Sequence, residues 1–107
     1  MREKTLAELG RFEEPSLLVL ISLSSGTRHG YGIQADVRSF AGVTLGPGTL
    51  YAVLPRLDRL GLIEALPAED RRRPYRLTAL GAEVLQSELR RVHGLVTAGL
   101  ARLRIEP

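Results

Sequence analysis

Three consecutive arginines, Arg71, Arg72 and Arg73, stand between two strand-like runs, Leu62-Ile63-Glu64-Ala65-Leu66 and Pro74-Tyr75-Arg76-Leu77. Like charges in a row repel one another unless a polyanion is near, and a guanidinium is a rigid fork of donors suited to phosphate and to guanine edges. The chemistry open to this triplet is therefore charge-assisted hydrogen bonding to a phosphate backbone. Arg76 alternates with Tyr75 on the return strand and reaches toward the same backbone. Upstream, Leu45-Gly46-Pro47-Gly48-Thr49 opens a segment in which Leu50, Leu54 and Leu57 recur at spacings of four and three, with Val53 and Leu60 widening the stripe. That spacing predicts a helix with one face in a core and Thr49, Ala52, Arg56 and Arg59 on the other side. Thr49 can present its hydroxyl and N–H to a phosphate with the help of the helix dipole, or merely cap the helix. Arg56 is the candidate for a groove unless Asp58 or Asp36 pairs with it. Tyr51 can send its hydroxyl to the backbone or pack on the preceding helix.

These residues need elements to hold them. Gly61 ends the helix, and a hairpin carrying the arginines follows. Pro55 lies inside the helix and removes a bond to the carbonyl of Tyr51; the stripe continues in phase, so a kinked continuous helix is expected. Before it, Tyr31 to Phe40 places Ile33, Val37 and Phe40 on one face, with Gln34, Asp36 and Arg38 elsewhere, as the first helix of a helix-turn-helix. Thr27-Arg28-His29-Gly30 reads as a turn, and Val43-Thr44-Leu45 as a short strand beside the hairpin. Leu17 to Leu23 is apolar nearly all round, like a central core helix. Residues 1–14 carry Leu6, Leu9 and Phe12 at intervals of three, a short amphipathic helix separated from the core helix by Pro15-Ser16. From Thr78 as N-cap, one helix should run to about Arg104. The architecture is mainly α with a small β-hairpin: a winged helix-turn-helix over residues 15–77, flanked by an N-terminal helix and a long C-terminal helix over 78–107.

Composition sets the outer limits. A chain of 107 residues has room for one domain and a modest core. The net charge of +3 is mild, but Lys4 is the single lysine and the remaining cations are arginine. No cysteine is present, which removes disulfides, thiolate chemistry and cysteine-based zinc sites. No apolar run approaches the roughly 18 residues of a membrane span, and no signal-peptide core follows the charges near Met1, so a cytoplasmic protein without a membrane partner is expected. His29 has only His93 as a histidine companion, without ligand spacing, and no Ser-His-Asp set is legible. Neither an enzyme, nor a metal site, nor a cofactor is expected.

Several short motifs occur together: His29-Gly30-Tyr31, Leu45-Gly46-Pro47-Gly48-Thr49-Leu50-Tyr51, Arg56-Leu57, Gly61-Leu62-Ile63-Glu64 and Tyr75-Arg76-Leu77-Thr78. In order and spacing they resemble the PadR family of bacterial transcriptional regulators, over about Leu17 to Leu85. The single C-terminal helix is similar to that of the compact branch. Pro55 and the acidic pair Glu69-Asp70 depart from the family pattern. The resemblance implies a dimeric repressor of its own or a neighbouring operon, released in some members by small aromatic or cationic molecules. The DNA-contacting candidates are then Arg28, His29, Tyr31, Pro47, Gly48, Thr49, Tyr51, Arg56, Arg71, Arg72, Arg73 and Arg76.

Along the C-terminal helix, Leu85, Leu89, Val92, Val96, Gly99 and Leu103 alternate spacings of four and three, the rhythm of a helix that packs on another helix. With Leu6, Leu9 and Phe12 they form the expected homodimer interface. An effector pocket, if one exists, is placed among Phe12, Val92, Leu95 and Val96, where N-terminal and C-terminal helices of two subunits meet. A winged-helix protein–protein interaction module without DNA-reading activity is the alternative. It has no use for Arg56, Arg59 and Arg71 to Arg73 on one surface.

Overall fold

The computed structural model describes residues 13–104. The elements run α1 (Glu13–Ser24), β1 (Arg28–His29), α2 (Gly30–Ala41), α3 (Pro47–Arg59), β2 (Ile63–Ala65), β3 (Pro74–Leu77) and α4 (Ala79–Leu103). Leu6, Leu9 and Phe12 lie outside the described residues. Pro15 and Ser16, expected as a break, sit inside α1 instead: Pro15 falls in the first turn of Glu13–Ser24, where a missing N–H breaks no bond within the helix, and Ser16 is wholly buried. The rest of α1 is the central helix its composition implies. Val19, Leu20 and Leu23 are buried, and Leu17, Leu18 and Ile21 pack against the same core.

The helix-turn-helix consists of α2 and α3. Ile33 and Val37 anchor α2 in the core, whereas Phe40, grouped with them by spacing, is 44% exposed at the last turn. Gly42 then adopts the left-handed conformation and its N–H returns to the Arg38 carbonyl, so the chain leaves α2 sharply. Val43-Thr44-Leu45 does not form the expected strand. Gln34 Nε2 donates to the Leu45 carbonyl at 2.8 Å, and the Leu45 side chain is buried, so this segment is tied to α2 rather than available to a sheet. The third strand is supplied by Arg28-His29, the segment expected as a turn. It pairs antiparallel with β3 (Arg28 opposite Tyr75, His29 opposite Pro74), and β3 pairs antiparallel with β2, giving the order β1-β3-β2.

In α3, Leu50, Val53, Leu54 and Leu57 are all buried, and the helix continues through Pro55. Pro55 is exposed, so the carbonyl it leaves without its usual donor faces the solvent side of the helix. The helix ends in a Schellman arrangement: Gly61 is left-handed, its N–H reaches the Asp58 carbonyl, and the Leu62 N–H reaches the Leu57 carbonyl, both at 3.0 Å. Thr78 caps α4 as expected, its hydroxyl accepting from the Gly81 N–H at 2.9 Å. Gly81, Val84 and Leu85 are buried within the single chain. Leu85 therefore belongs to the protomer's own core and is removed from the expected dimer face. Beyond it α4 leaves the domain, with Leu89, Leu95, Val96 and Leu103 exposed.

The inner face of α3 is the keystone of this core. Leu54→Ala should destabilise the protein by about 2–5 kcal/mol, the usual cost of lost burial plus a cavity, measured by urea unfolding.

Candidate nucleic-acid interface

The wing is built by β2, β3 and a tight turn beyond them. Glu69 and Arg72 form a bridge in which each N–H donates to the other's carbonyl, at 2.6 and 2.8 Å. Between them Asp70 and Arg71 both have positive φ, 50° and 67°, as a two-residue type I′ hairpin turn requires. Such turns favour Asn or Asp followed by Gly; here the second position carries Arg71. Pro67 and Ala68 on one side oppose Arg73 alone on the other, between the Leu66–Pro74 bond and the Glu69–Arg72 bridge. The wing is thus bulged at its middle. Arg73 Nη1 donates to the Leu66 carbonyl at 2.9 Å and braces that bulge.

The arginines fall into different roles. Arg28 is held within the fold: its Nε donates to the Ser22 carbonyl at 3.3 Å and lies 3.6 Å from Asp36, while Nη2 donates to Ser25 Oγ at 2.8 Å. Arg76 pairs with Glu64 across the strands, both side chains exposed, an ion pair worth at most about 1 kcal/mol in water. Arg56 is half-buried on α3. Arg71 and Arg72 are exposed at the wing tip.

The three tyrosines of the chain converge with the arginine triplet. Tyr31, Tyr51 and Tyr75 line one cleft of about 430 Å³ together with His29, Gly30, Arg71, Arg72 and Arg73. The start of α2, the first turns of α3 and the wing meet there. Tyr51 is placed by Gly30: a methyl at Gly30 would come within 2.9 Å of Tyr51 Oη and 3.3 Å of Leu50 Cδ2. The glycine of one short motif therefore makes room for the tyrosine of another. His29 belongs to β1, and its Nδ1 is buried without a hydrogen-bond partner. Tyr75, partly buried, has its phenol pKa raised above the ordinary 10, chiefly by burial, against the lowering influence of Arg73. Its hydroxyl stays neutral at physiological pH and presents no charge to an incoming anion.

Gly46 is the N-cap of α3, and no side chain caps the helix. Pro47 has no N–H, so the N–H groups of Gly48 and Thr49 precede the first bond of the helix, from Leu50 N to the Gly46 carbonyl. Thr49 is thus within the first turn and not the cap. A smaller cleft of about 220 Å³ beside this end is lined by Tyr31, Gln34, Arg38, Leu45 and Pro47 among others. Reading by sequence brought Tyr31, Tyr51, His29 and the triplet onto the candidate surface, but not Tyr75, Gly30 or Arg38. Gly30 was signalled by its place between His29 and Tyr31. Arg38 carried no signal, since it borders the smaller cleft only through the path of the turn after α2. Of the expected effector residues, Val92 borders a shallow open groove with Gln86, Leu89, Arg90, His93 and Gly94, whereas Leu95 and Val96 stand exposed beyond it and Phe12 is outside the described residues. Among the described residues no group of acidic or histidine side chains could hold a metal ion, and no helix is long and apolar enough to cross a membrane.

Residues 18–87, more than half of the chain, match the family model described as the transcriptional regulator PadR-like family. The chain belongs to the PadR-like family. Solved PadR-like structures share its fold: a PadR-like transcription factor from Bacteroides fragilis (TM-score 0.73, 21% identity, 91% of this chain and 96% of that one) and a PadR family transcription regulator from Clostridium difficile (TM-score 0.71, 22% identity, 82% and 95%). A transcriptional regulator from Clostridium thermocellum matches equally well (TM-score 0.71, 23% identity, 85% and 92%). In sequence the chain is also 41% identical over 78 residues to a 37.1 kDa protein of transposon Tn4556 from Streptomyces fradiae. That match covers 73% of this chain and spans about a quarter (23%) of the curated relative's length. Fold and family are those of DNA-binding transcriptional regulators of the PadR type, which are not enzymes.

The left-handed Arg71 has a measurable cost. Arg71→Gly, which creates the favoured Asp-Gly turn, should raise stability by about 1 kcal/mol, the lower end of the left-handed penalty for an L-residue. Thermal unfolding of the two proteins checks this.

Proposed function

We propose that the chain is a homodimeric, sequence-specific DNA-binding regulator that acts in the cytoplasm and represses its own or a neighbouring operon. The observation that carries this is the cleft in which all three tyrosines, His29 and Arg71 to Arg73 meet beside the first turn of α3. A phosphate backbone fits such a place: guanidinium forks and phenol hydroxyls surround it, and the N–H groups of Gly48 and Thr49 lie at the positive end of a helix dipole. With the wing on the backbone, the outer face of α3 enters the major groove, with Arg56 and Thr49 near base edges and phosphates. Gly48 brings no side chain to that approach, and Pro47 only its compact ring. Arg28 and Arg76 contribute indirectly, by holding the start of α2 and the wing in place, since their own guanidiniums are paired within the fold.

The exposed stripe of α4 supports dimerisation. Leu89, Val96 and Leu103 are 41%, 52% and 69% exposed, and the space above Gly94 and Gly99 is open. Leaving such a stripe in water costs about 25 cal/mol per Å² of apolar surface, and a second copy of the same helix removes that cost. A small-molecule effector, in a regulator that uses one, would enter the shallow groove at Val92 once the second copy closes it. The competing reading, a protein-interaction module, gives α4 a partner but leaves a strained Arg71 and the arginine-lined cleft without a role.

Fluorescence anisotropy with the duplex upstream of its own gene and a scrambled duplex tests the proposal. Wild type should prefer the former. Replacing Arg71, Arg72 and Arg73 by alanine should cost at least about tenfold in affinity at 100 mM salt and reduce the salt slope by about 0.9 for each phosphate that is no longer neutralised. Equal binding of both duplexes by wild type and variant would refute it. Val96→Asp should convert a dimeric mass in light scattering to a monomeric one, and a wild-type monomer would remove the dimer.

A further inference from the structure

The end of α3 and the beginning of α4, both packed on the common core, are hydrogen-bonded to each other at one place. The two carbonyls that follow the Schellman turn, those of Gly61 and Leu62, both point at Thr78: its Oγ1 donates to Gly61 O at 2.6 Å and its N–H to Leu62 O at 3.1 Å. The same Oγ1 accepts from the Gly81 N–H, which starts α4. Gly81 completes the seam, since a methyl there would overlap the Leu62 carbonyl oxygen and crowd Leu77 Cδ1. Beyond this seam α4 is an uninterrupted helix to its exposed stripe, and behind it α3 is an uninterrupted helix to Pro47. A change of angle between the two helices therefore pivots at the seam and strains its hydrogen bonds together with the core contacts of Val84 and Leu85.

We propose that this seam sets the separation of the two reading helices in the dimer, and that Thr78 is a positioning residue for half-site spacing. The inference rests on the proposed function, in which α4 pairs two copies and α3 reads DNA. The lever arm gives it force. α3 has 13 residues and is about 20 Å long, so a rotation of about 10° about the seam carries its far end about 3 Å. That is about one base-pair step along the duplex. A single hydroxyl, acting as donor to one helix end and acceptor for the other, thus fixes which spacing can be read.

The chain has no cysteine, so Gly48→Cys, at the end of α3 far from the seam and with open space around it, admits one nitroxide per copy, and pulsed electron–electron resonance on the full-length protein reads the distance between the two α3 helices. Wild type and Thr78→Ser, which keeps donor and acceptor, should give one narrow distance. Thr78→Asp keeps the capping acceptor but cannot donate to Gly61, and should broaden the distribution by about 3 Å per protomer while the helix content stays unchanged. Gly81→Ala should shift the mean distance; if it fails to fold, Thr78→Asp decides alone. On duplexes whose half-site spacing is varied by single base pairs, Thr78→Asp should lose the preference that wild type and Thr78→Ser show. Thr78→Asp as narrow and as spacing-selective as wild type would overturn this inference alone. No inter-copy distance in wild type would overturn the dimer, and this inference with it.

Discussion

Burial of Leu50, Val53, Leu54 and Leu57 on the inner face of α3 is the constraint on which the rest of the structure depends. A helix can offer its outer face to a ligand at a fixed angle only if the opposite face is locked, and here four apolar side chains enter a core shared with α1, α2, β2 and the first turns of α4. The same locking determines what is left outside. Thr49, Tyr51 and Arg56 lie off the buried stripe, and the two glycines flanking Pro47 keep the first turn bare. Pro55 is tolerated because it falls on the exposed side, where water can take the place of the donor it lacks.

From that helix the organisation spreads through small residues. Gly30 lets Tyr51 lie against the start of α2, Gly61 turns the chain into β2, and Gly81 lets α4 cross the Leu62 carbonyl. Gly30 and Gly81 each stand where a side chain would strike a neighbour, so close approach of elements, rather than flexibility, is the use made of both. The wing follows a different logic. Its tip holds Asp70 and Arg71 in a conformation that L-residues avoid, and its charge is divided between Arg73, which braces the bulge, and Arg71 and Arg72 at the exposed tip.

Most of the helical framework was legible in the sequence because its signals are local. The α3 stripe, the Gly61 stop, the Thr78 cap and the two strands of the wing each follow from spacing or from one residue's backbone preference. The misassignments share a different cause. Arg28-His29 carries no strand propensity of its own and becomes a strand because β3 presents an open edge, whereas Val43-Thr44-Leu45 has the propensity but is tied down by Gln34. Leu85 continues the heptad-like rhythm of α4 yet packs into its own domain, because the rhythm cannot mark where the helix leaves the core. Of the candidate site, the arginine triplet and the two motif tyrosines were visible in the sequence. Tyr75 was placed on the return strand but not among the DNA-facing residues, and the internal pairing of Arg28 and Arg76 depends on distant partners.

In the proposed function, the first turn of α3 and the tip of the wing form one surface that receives DNA together. Hydrogen–deuterium exchange of the full-length protein, free and with the duplex from upstream of its own gene, tests it most directly. The N–H groups of Gly48 and Thr49 precede the helix's own bonds and should exchange rapidly in the free protein. DNA should slow exchange in residues 48–51 and 69–73 at the same duplex concentration. Protection confined to α4, or appearing in one of these two segments without the other, would contradict it.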